Sequence, residues 1–146
     1  MKGVRESMRS MVPPSAERLI KRIVSTRYYR IFNPNWHRRA VGGMWEEIGK
    51  LQFNFLVEQG LKPGHFLLDV GCGSLRGGIH FIRYLEPEHY FGIDISKVLL
   101  AAGRFELRRY NLTHKNPILV QMDDFNFRSI HQEFHLAIAH SVFTHL

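Results

Sequence analysis

Asp69 stands two residues before Gly71-x-Gly73 in the stretch HFLLDVGCGSLRGG, residues 65–78. Glycines at such a turn let the chain bend sharply and let a ligand approach the backbone, because a Cβ would fill that space. A carboxylate beside the turn repels a pyrophosphate and attracts a cationic or amine-bearing ligand. The spacing Gly71-x-Gly73-x-x-x-Gly77 also departs from G-x-G-x-x-G, the pattern that seats a pyrophosphate on a helix N-terminus. A second acid, Asp94, lies 23 residues beyond Gly71. At the tip of the next strand a carboxylate at that distance accepts hydrogen bonds from both hydroxyls of a ribose. Its other use would be in a cap, Asp94-Ile95-Ser96, ahead of a helix. A third group is Asp123 and Asp124 followed by Phe125. An acid next to an aromatic suits an adenine, the carboxylate taking the exocyclic amine and the ring covering one face. The alternative for this group is a solvated loop.

The elements that must position these acids alternate in period. Phe66, Leu67, Leu68 and Val70 form a short apolar run bounded by turn residues, as a buried parallel strand requires. Ile79, Phe81, Ile82 and Leu85 then recur at helical spacing, so the turn joins a strand to a helix. Tyr90 to Ile95 reads as a second buried strand, and Glu86-Pro87-Glu88 breaks the chain before it. Residues 97–112 carry Val98, Leu99, Leu100, Ala102, Phe105, Leu107 and Leu112 on a long helix, with Asn116-Pro117 as its stop. Ile118 to Met122 is a third strand ending in acids, and Phe134 to Val142 a fourth. Upstream, Gly42-Gly43 opens a helix whose face holds Met44, Trp45, Ile48, Leu51, Gln52, Phe55 and Leu56. Most of its large side chains are expected in the core, and Gly60 with Pro63-Gly64 ends it. Trp36 and Trp45 flank the Gly-Gly turn, and both are expected to serve packing before ligand contact.

Four segments in this order, LLDVGCGSLRGG, YFGIDIS, QMDDFNF and HLAIAHSVFTHL, resemble the class I methyltransferases that use S-adenosylmethionine (SAM), in particular the methyltransferase-domain families of bacteria. The resemblance covers about residues 42–146. It implies an α/β fold, a Rossmann-like doubly wound parallel sheet with N-terminal helices, and SAM across the C-terminal ends of the first strands. The cofactor-binding residues implied are Asp69, Gly71, Cys72 and Gly73 around the methionine part, Asp94 with Ile95 at the ribose, and Asp123 or Asp124 with Phe125 at the adenine. Residues 141–145 would face the methyl group, and His145 is the candidate base, because imidazole titrates near neutrality. An ordinary helix-start histidine is the alternative for His145. A domain of this kind has seven strands and these residues supply about four. The chain is therefore expected to be a truncated or fragmentary domain, with an apolar fourth strand exposed at its edge.

Charge divides the 146 residues at about position 40. Residues 1–40 carry a net +8, whereas residues 41–146 carry −1. The reading is a basic arm, 1–40, followed by the N-terminal part of a SAM-dependent methyltransferase domain, 41–146. Within the arm Leu19, Ile20, Ile23, Val24, Tyr28 and Ile31 fall on one face of a helix that Ser15 would cap. Such a basic amphipathic helix, residues 15–31, suits peripheral contact with an anionic membrane surface or with nucleic acid, or plain packing with its charges in water. Because the globular part is almost neutral, a small-molecule acceptor is favoured over nucleic acid as the partner. Cys72 is the single cysteine, so one chain builds neither a disulfide nor a cysteine zinc site. No apolar run is long enough for a membrane span or a secretory signal, and a cytoplasmic setting is expected. His135, His140 and His145 form no recognised ligand pattern, and no metal is expected. Two other function classes stand beside methyl transfer. One is an NAD-dependent oxidoreductase, opposed by the glycine spacing and Asp69. The other is a non-catalytic chain acting through its basic arm on RNA or an anionic surface.

Overall fold

A computed structural model describes Arg30, residues 33–123, Phe127 and residues 130–140 of the chain. It divides into two units, Met1–Trp36 and His37–Leu146. In the first, the Trp36 amide donates to the Asn33 carbonyl at 2.9 Å, and the Arg30 guanidinium lies 4.5 Å from the centre of the Trp36 ring. The amphipathic helix expected over 15–31 lies outside the described residues, Arg30 apart.

The elements are α1 (Trp36–Ala40), α2 (Trp45–Glu58), β1 (Leu67–Val70), α3 (Gly78–Tyr84), β2 (Tyr90–Asp94), α4 (Lys97–Arg109), a 3₁₀ turn (Thr113–Lys115), β3 (Ile118–Gln121) and β4 (Leu136–Ala139). All strand pairs are parallel, in the order β3-β2-β1-β4. The sheet is Rossmann-like, and the chain reverses direction across it between β1 and β4. Central β1 and β2 are buried along most of their length, as parallel strands covered on both faces must be. One face carries Leu67, Tyr90 and Leu136 against Trp45, Leu56, Leu75, Ile79, Phe81, Leu100 and Leu107 from the helices and their loops. The other face carries Leu68, Phe91 and Ile93, packed by Val120, Met122, Ile130 and Phe134. No helix among the described residues is long and apolar enough to cross a membrane.

Both long helices stop in the same way. Gly60 sits at φ 94° after α2, its amide bonded to the Val57 carbonyl, while the Leu61 amide reaches Leu56. Asn111 at φ 56° does the same after α4, its amide bonding Arg108 and that of Leu112 bonding Leu107. Each is a Schellman closure, with an apolar residue, Leu61 or Leu112, buried just past the turn. The expectation of a helix through residue 112 is thereby corrected. Asn111 ends it in the left-handed conformation, and Leu112 is buried beyond the helix rather than on its face.

Two further differences concern apolar residues and strand length. Trp45, Gly49 and Leu56 of α2 are buried, but Met44, Leu51 and Phe55 are 63%, 61% and 54% exposed. The helix packs through one narrow line against α3, where a Cβ on Gly49 would come within 2.5 Å of the Arg76 carbonyl. Nothing among the described residues covers Leu51 and Phe55. The fourth strand is shorter than the apolar run 134–142, because its register matches the four residues of β1, Leu67–Val70 against Leu136–Ala139.

Candidate cofactor and acceptor pocket

Local sequence shapes the turn after β1. Gly71 and Gly73 take φ values of 73° and 56°, which a side chain would make costly. A Cβ on Gly73 would also lie 2.8 Å from the Val41 side chain. Leu75 is left-handed too, at φ 72°, yet wholly buried. Its side chain fills a socket left by Gly78 and Gly103, on α3 and α4, where Cβ atoms would stand 2.8 and 2.9 Å from it. Burial of an isobutyl group, about 1.5–3 kcal/mol, offsets a left-handed backbone that costs about 1–2 kcal/mol.

Asp69 lies beneath this turn, buried, and the Tyr90 hydroxyl donates to its Oδ2 at 2.5 Å. Loss of water pushes the carboxyl up to about 6, and the nearby Asp94 charge adds to this, while the Tyr90 hydrogen bond opposes it. Burial and the Asp69 charge raise the Tyr90 hydroxyl and the Cys72 thiol as well, so Cys72 is a neutral packing group. Tyr90 is a partner that sequence reasoning missed. Its signal was strand parity: Asp69 pairs with Gly92, and Tyr90 lies two residues from Gly92 on the same face.

Asp94 combines the two uses considered for it. Its Oδ2 accepts from the Gly73 amide at 2.8 Å and its Oδ1 from the Ser96 amide at 2.7 Å. Ser96 caps α4 separately, its Oγ accepting from the Leu99 amide at 3.2 Å. The carboxylate thus ties the glycine turn to the next helix while still facing the pocket.

These groups open on a cavity of about 790 Å³ at the C-terminal ends of the strands, large enough for a nucleoside with room beyond it. Asp69, Gly71, Cys72, Gly73, Asp94, Ile95 and Asp123 all line it, so seven of the residues singled out in the sequence converge. Ile95, Leu99 and Met122 supply apolar wall near Asp123. Asp124, Phe125 and His145 lie outside the described residues. The tryptophans do not line the cavity; Trp45 packs edge-on to His37 and under the Arg38 guanidinium. His135 and His140 diverge, as their odd spacing implies. His135 stacks on His65 at 4.5 Å, away from the pocket, whereas His140 lines it.

Sequence reasoning missed the opposite wall: Arg39, Met44, Ile48, Gln52, Arg76 and His140. Arg76 donates to the Gly43 carbonyl at 3.1 Å, and its Nη2 stands 3.5 Å from His140 Nδ1. Burial lowers the Arg76 pKa, and burial with the Arg76 charge lowers that of His140, favouring neutral imidazole. Residues 37–43 reach this wall because α1 is bolted to α4. Arg38 forks onto the fully buried Glu106 at 3.0 and 2.7 Å, and His37 Nε2 lies 3.2 Å from the same carboxylate. The sequence around Arg38 gives no sign of this partner 68 residues away.

Comparison with known proteins adds a family and a fold. The model of a methyltransferase domain matches residues 68–146. An uncharacterised protein of Methanocaldococcus jannaschii is 49% identical over 50 residues, which are 34% of this chain and 13% of that one. Among solved structures, a S-adenosylmethionine-dependent methyltransferase from Clostridium acetobutylicum superposes with a TM-score of 0.54 at 18% identity, covering 77% of this chain and 43% of its own. Magnesium protoporphyrin IX methyltransferase from Synechocystis, solved with bound SAM, gives 0.57 at 18% identity, with 85% and 63% covered. At such identities the structures speak for the fold. The chain spans less than two thirds of the length of each of these proteins.

Proposed function

The chain belongs to the methyltransferase-domain family, and from that premise we propose that its pocket holds SAM and directs the methyl group to a small-molecule acceptor. The observation that carries this reading is the row of acids Asp69, Asp94 and Asp123 along the ends of β1, β2 and β3, around a left-handed glycine turn. Bound SAM supplies an electrophilic methyl on a sulfonium and a cationic amine. Asp69 offers a counter-charge to such a ligand, and a cation beside it lowers its pKa from the value of about 6 that burial gives it. Asp94 spends one lone pair of each oxygen on a backbone amide, and a carboxylate has about four, so two ribose hydroxyls still find acceptors. Ile95, Leu99 and Met122 offer apolar faces for an adenine and Asp123 an acceptor for its amine; Asp124 and Phe125 are assigned to the same end from the sequence.

The chain then has to align the acceptor and exclude water. A neutral His140 on the pocket wall is placed to take a proton from the acceptor, a role the sequence assigned to His145. A small molecule suits a concave pocket of this size, and the Synechocystis neighbour is named for such a substrate. We place the reaction in the cytoplasm, in keeping with the single buried thiol.

Calorimetry with SAM, S-adenosylhomocysteine and NAD tests the reading. The first two are expected to bind and NAD to be refused, because Asp69 stands beside the glycine turn on which a pyrophosphate would lie. Asp94→Ala is expected to weaken S-adenosylhomocysteine by about 2–4 kcal/mol, the loss of two charge-assisted bonds less water compensation. Tighter binding of NAD would overturn the reading, and unchanged affinity in Asp94→Ala would confine Asp94 to the turn.

A further inference from the structure

Along the C-terminal edge of the sheet the charge changes sign in strand order. Asp123 follows β3, Asp94 ends β2 and Asp69 belongs to β1, all lining the pocket. On the far side of β1, beside β4, the lining becomes Arg76 and the imidazole of His140, and Arg39 also borders the cavity. Among the described residues the arginine–carboxylate ion pairs are those of Arg38 and Arg109 with Glu106. Neither Arg39 nor Arg76 has such a partner among the described residues.

Arg76 is held, not loose. Its Nη1 donates to the Gly43 carbonyl, and a Cβ on Gly42 would lie 3.3 Å from that same nitrogen. The Gly-Gly turn thus admits the guanidinium to the pocket wall. One carbonyl uses one of its five donors, and the neighbouring imidazole at 3.5 Å adds a weak contact. Its site is partly buried, which costs a cation hydration that an anionic ligand would return. Arg39, on the exposed end of α1, lines the same cavity, its carbonyl accepting from the Gly42 amide at 3.0 Å, and Met44 and Ile48 add apolar lining.

We propose that Arg39 and Arg76 form a carboxylate subsite at the β4 end of the pocket, backed by the apolar surface of Met44 and Ile48. The placement rests on the reading that a nucleoside occupies the acidic end. The carboxylate has two sources: the methionyl group of the cofactor, or an acceptor that carries its own carboxylate on an apolar body. In the first case the two ends of the pocket match a ligand that is cationic at its sulfur and amine and anionic at its carboxylate. In the second the subsite sets the acceptor class.

Calorimetry on the 146-residue chain and its Arg76→Gln and Arg39→Gln variants separates the two. Four probes are used: S-adenosylhomocysteine; 5′-methylthioadenosine, which keeps nucleoside and sulfur but lacks the carboxylate; octanoate; and uncharged octanol. A loss of about tenfold for S-adenosylhomocysteine, with 5′-methylthioadenosine unchanged, supports the subsite and assigns it to the cofactor. A similar loss for octanoate alone, with octanol unchanged, supports it and assigns it to the acceptor. No loss for either carboxylate in either variant overturns the proposal, as does equal loss for charged and uncharged probes. If both nucleosides fail to bind the unaltered chain, the cofactor reading falls, and the octanoate and octanol pair still decides the subsite. Melting temperatures check folding; where Arg76→Gln lowers them, Arg39→Gln, at an exposed helix end, carries the test.

Discussion

Asp69 concentrates the conflict between stability and binding in one side chain. In the folded chain its pKa stands at about 6 against an ordinary 3.8, because burial disfavours its charge. Folding therefore favours the protonated acid. The stabilisation is fully present below about pH 3.8 and is lost as pH rises through 6, where the buried group ionises. A shift of about two units corresponds to roughly 3 kcal/mol. Asp69→Asn, which keeps an acceptor for the Tyr90 hydroxyl, is accordingly expected to be more stable than the parent by up to about 3 kcal/mol at pH 7.5, with the gain gone near pH 4. Urea melts of both chains across that range read the difference. A gain that does not change with pH would place its origin elsewhere. The same variant is expected to bind SAM more weakly, since the charge that strains the empty fold is the one that faces the ligand's cation.

At the scale of elements, the glycine turn is held from below. Leu75 is a plug whose socket exists only because α3 and α4 present Gly78 and Gly103 to it. A methyl group on Gly103 would stand 2.9 Å from Leu75 Cγ, on a side chain with no free space to enter. Alanine gains about 1 kcal/mol of helix propensity over glycine, but overpacking costs about 1–3 kcal/mol and forces the turn upward. Gly103→Ala is therefore expected to lower stability by up to about 2 kcal/mol and to weaken S-adenosylhomocysteine, although residue 103 does not line the pocket. Thermal melts and calorimetry measure the two effects. A variant more stable than the parent would show that Leu75 yields freely. The Arg38–Glu106 tie acts in the same indirect way, since it holds the segment that carries Arg39 and the Gly-Gly turn.

For the molecule as a whole, stability should grade outward from the centre of the sheet. The strands β1 and β2 pair on both sides and are buried, whereas β3 and β4 pair on one side among the described residues and are half exposed. On β4 the exposed positions are Ala137 and Ala139, while Leu136 and Ile138 turn inward, so the side chains it shows to water are small. Hydrogen exchange is expected to be slowest in residues 67–70 and 90–94 and faster in 118–121 and 136–139. Equal protection of β1 and β4 would mean that β4 is covered in solution by something further. That grading matters to the pocket, because Asp69 and Asp94 sit on the rigid strands, whereas Asp123 and His140 lie just past the outer ones.

What the sequence determined by itself was local or periodic. Short apolar runs, a glycine turn and helical spacing specify strand, turn and helix within a dozen residues, and an acid at each strand end inherits its place from the strand. Asp69, Asp94 and Asp123 were legible for that reason, and so was the parallel sheet that gathers them. Tertiary structure alone decided what joins residues distant in the chain. Arg76 meets His140 across 64 positions because β4 lies beside β1 rather than beyond β3. Tyr90 reaches Asp69 because the register sets Gly92 opposite it and leaves the space open. Met44 and Phe55 look like core in a helical projection, but periodicity states only which residues share a face, not whether anything packs against it. The basic wall of the pocket follows from strand order, and strand order is a property of the whole sheet that no single segment encodes.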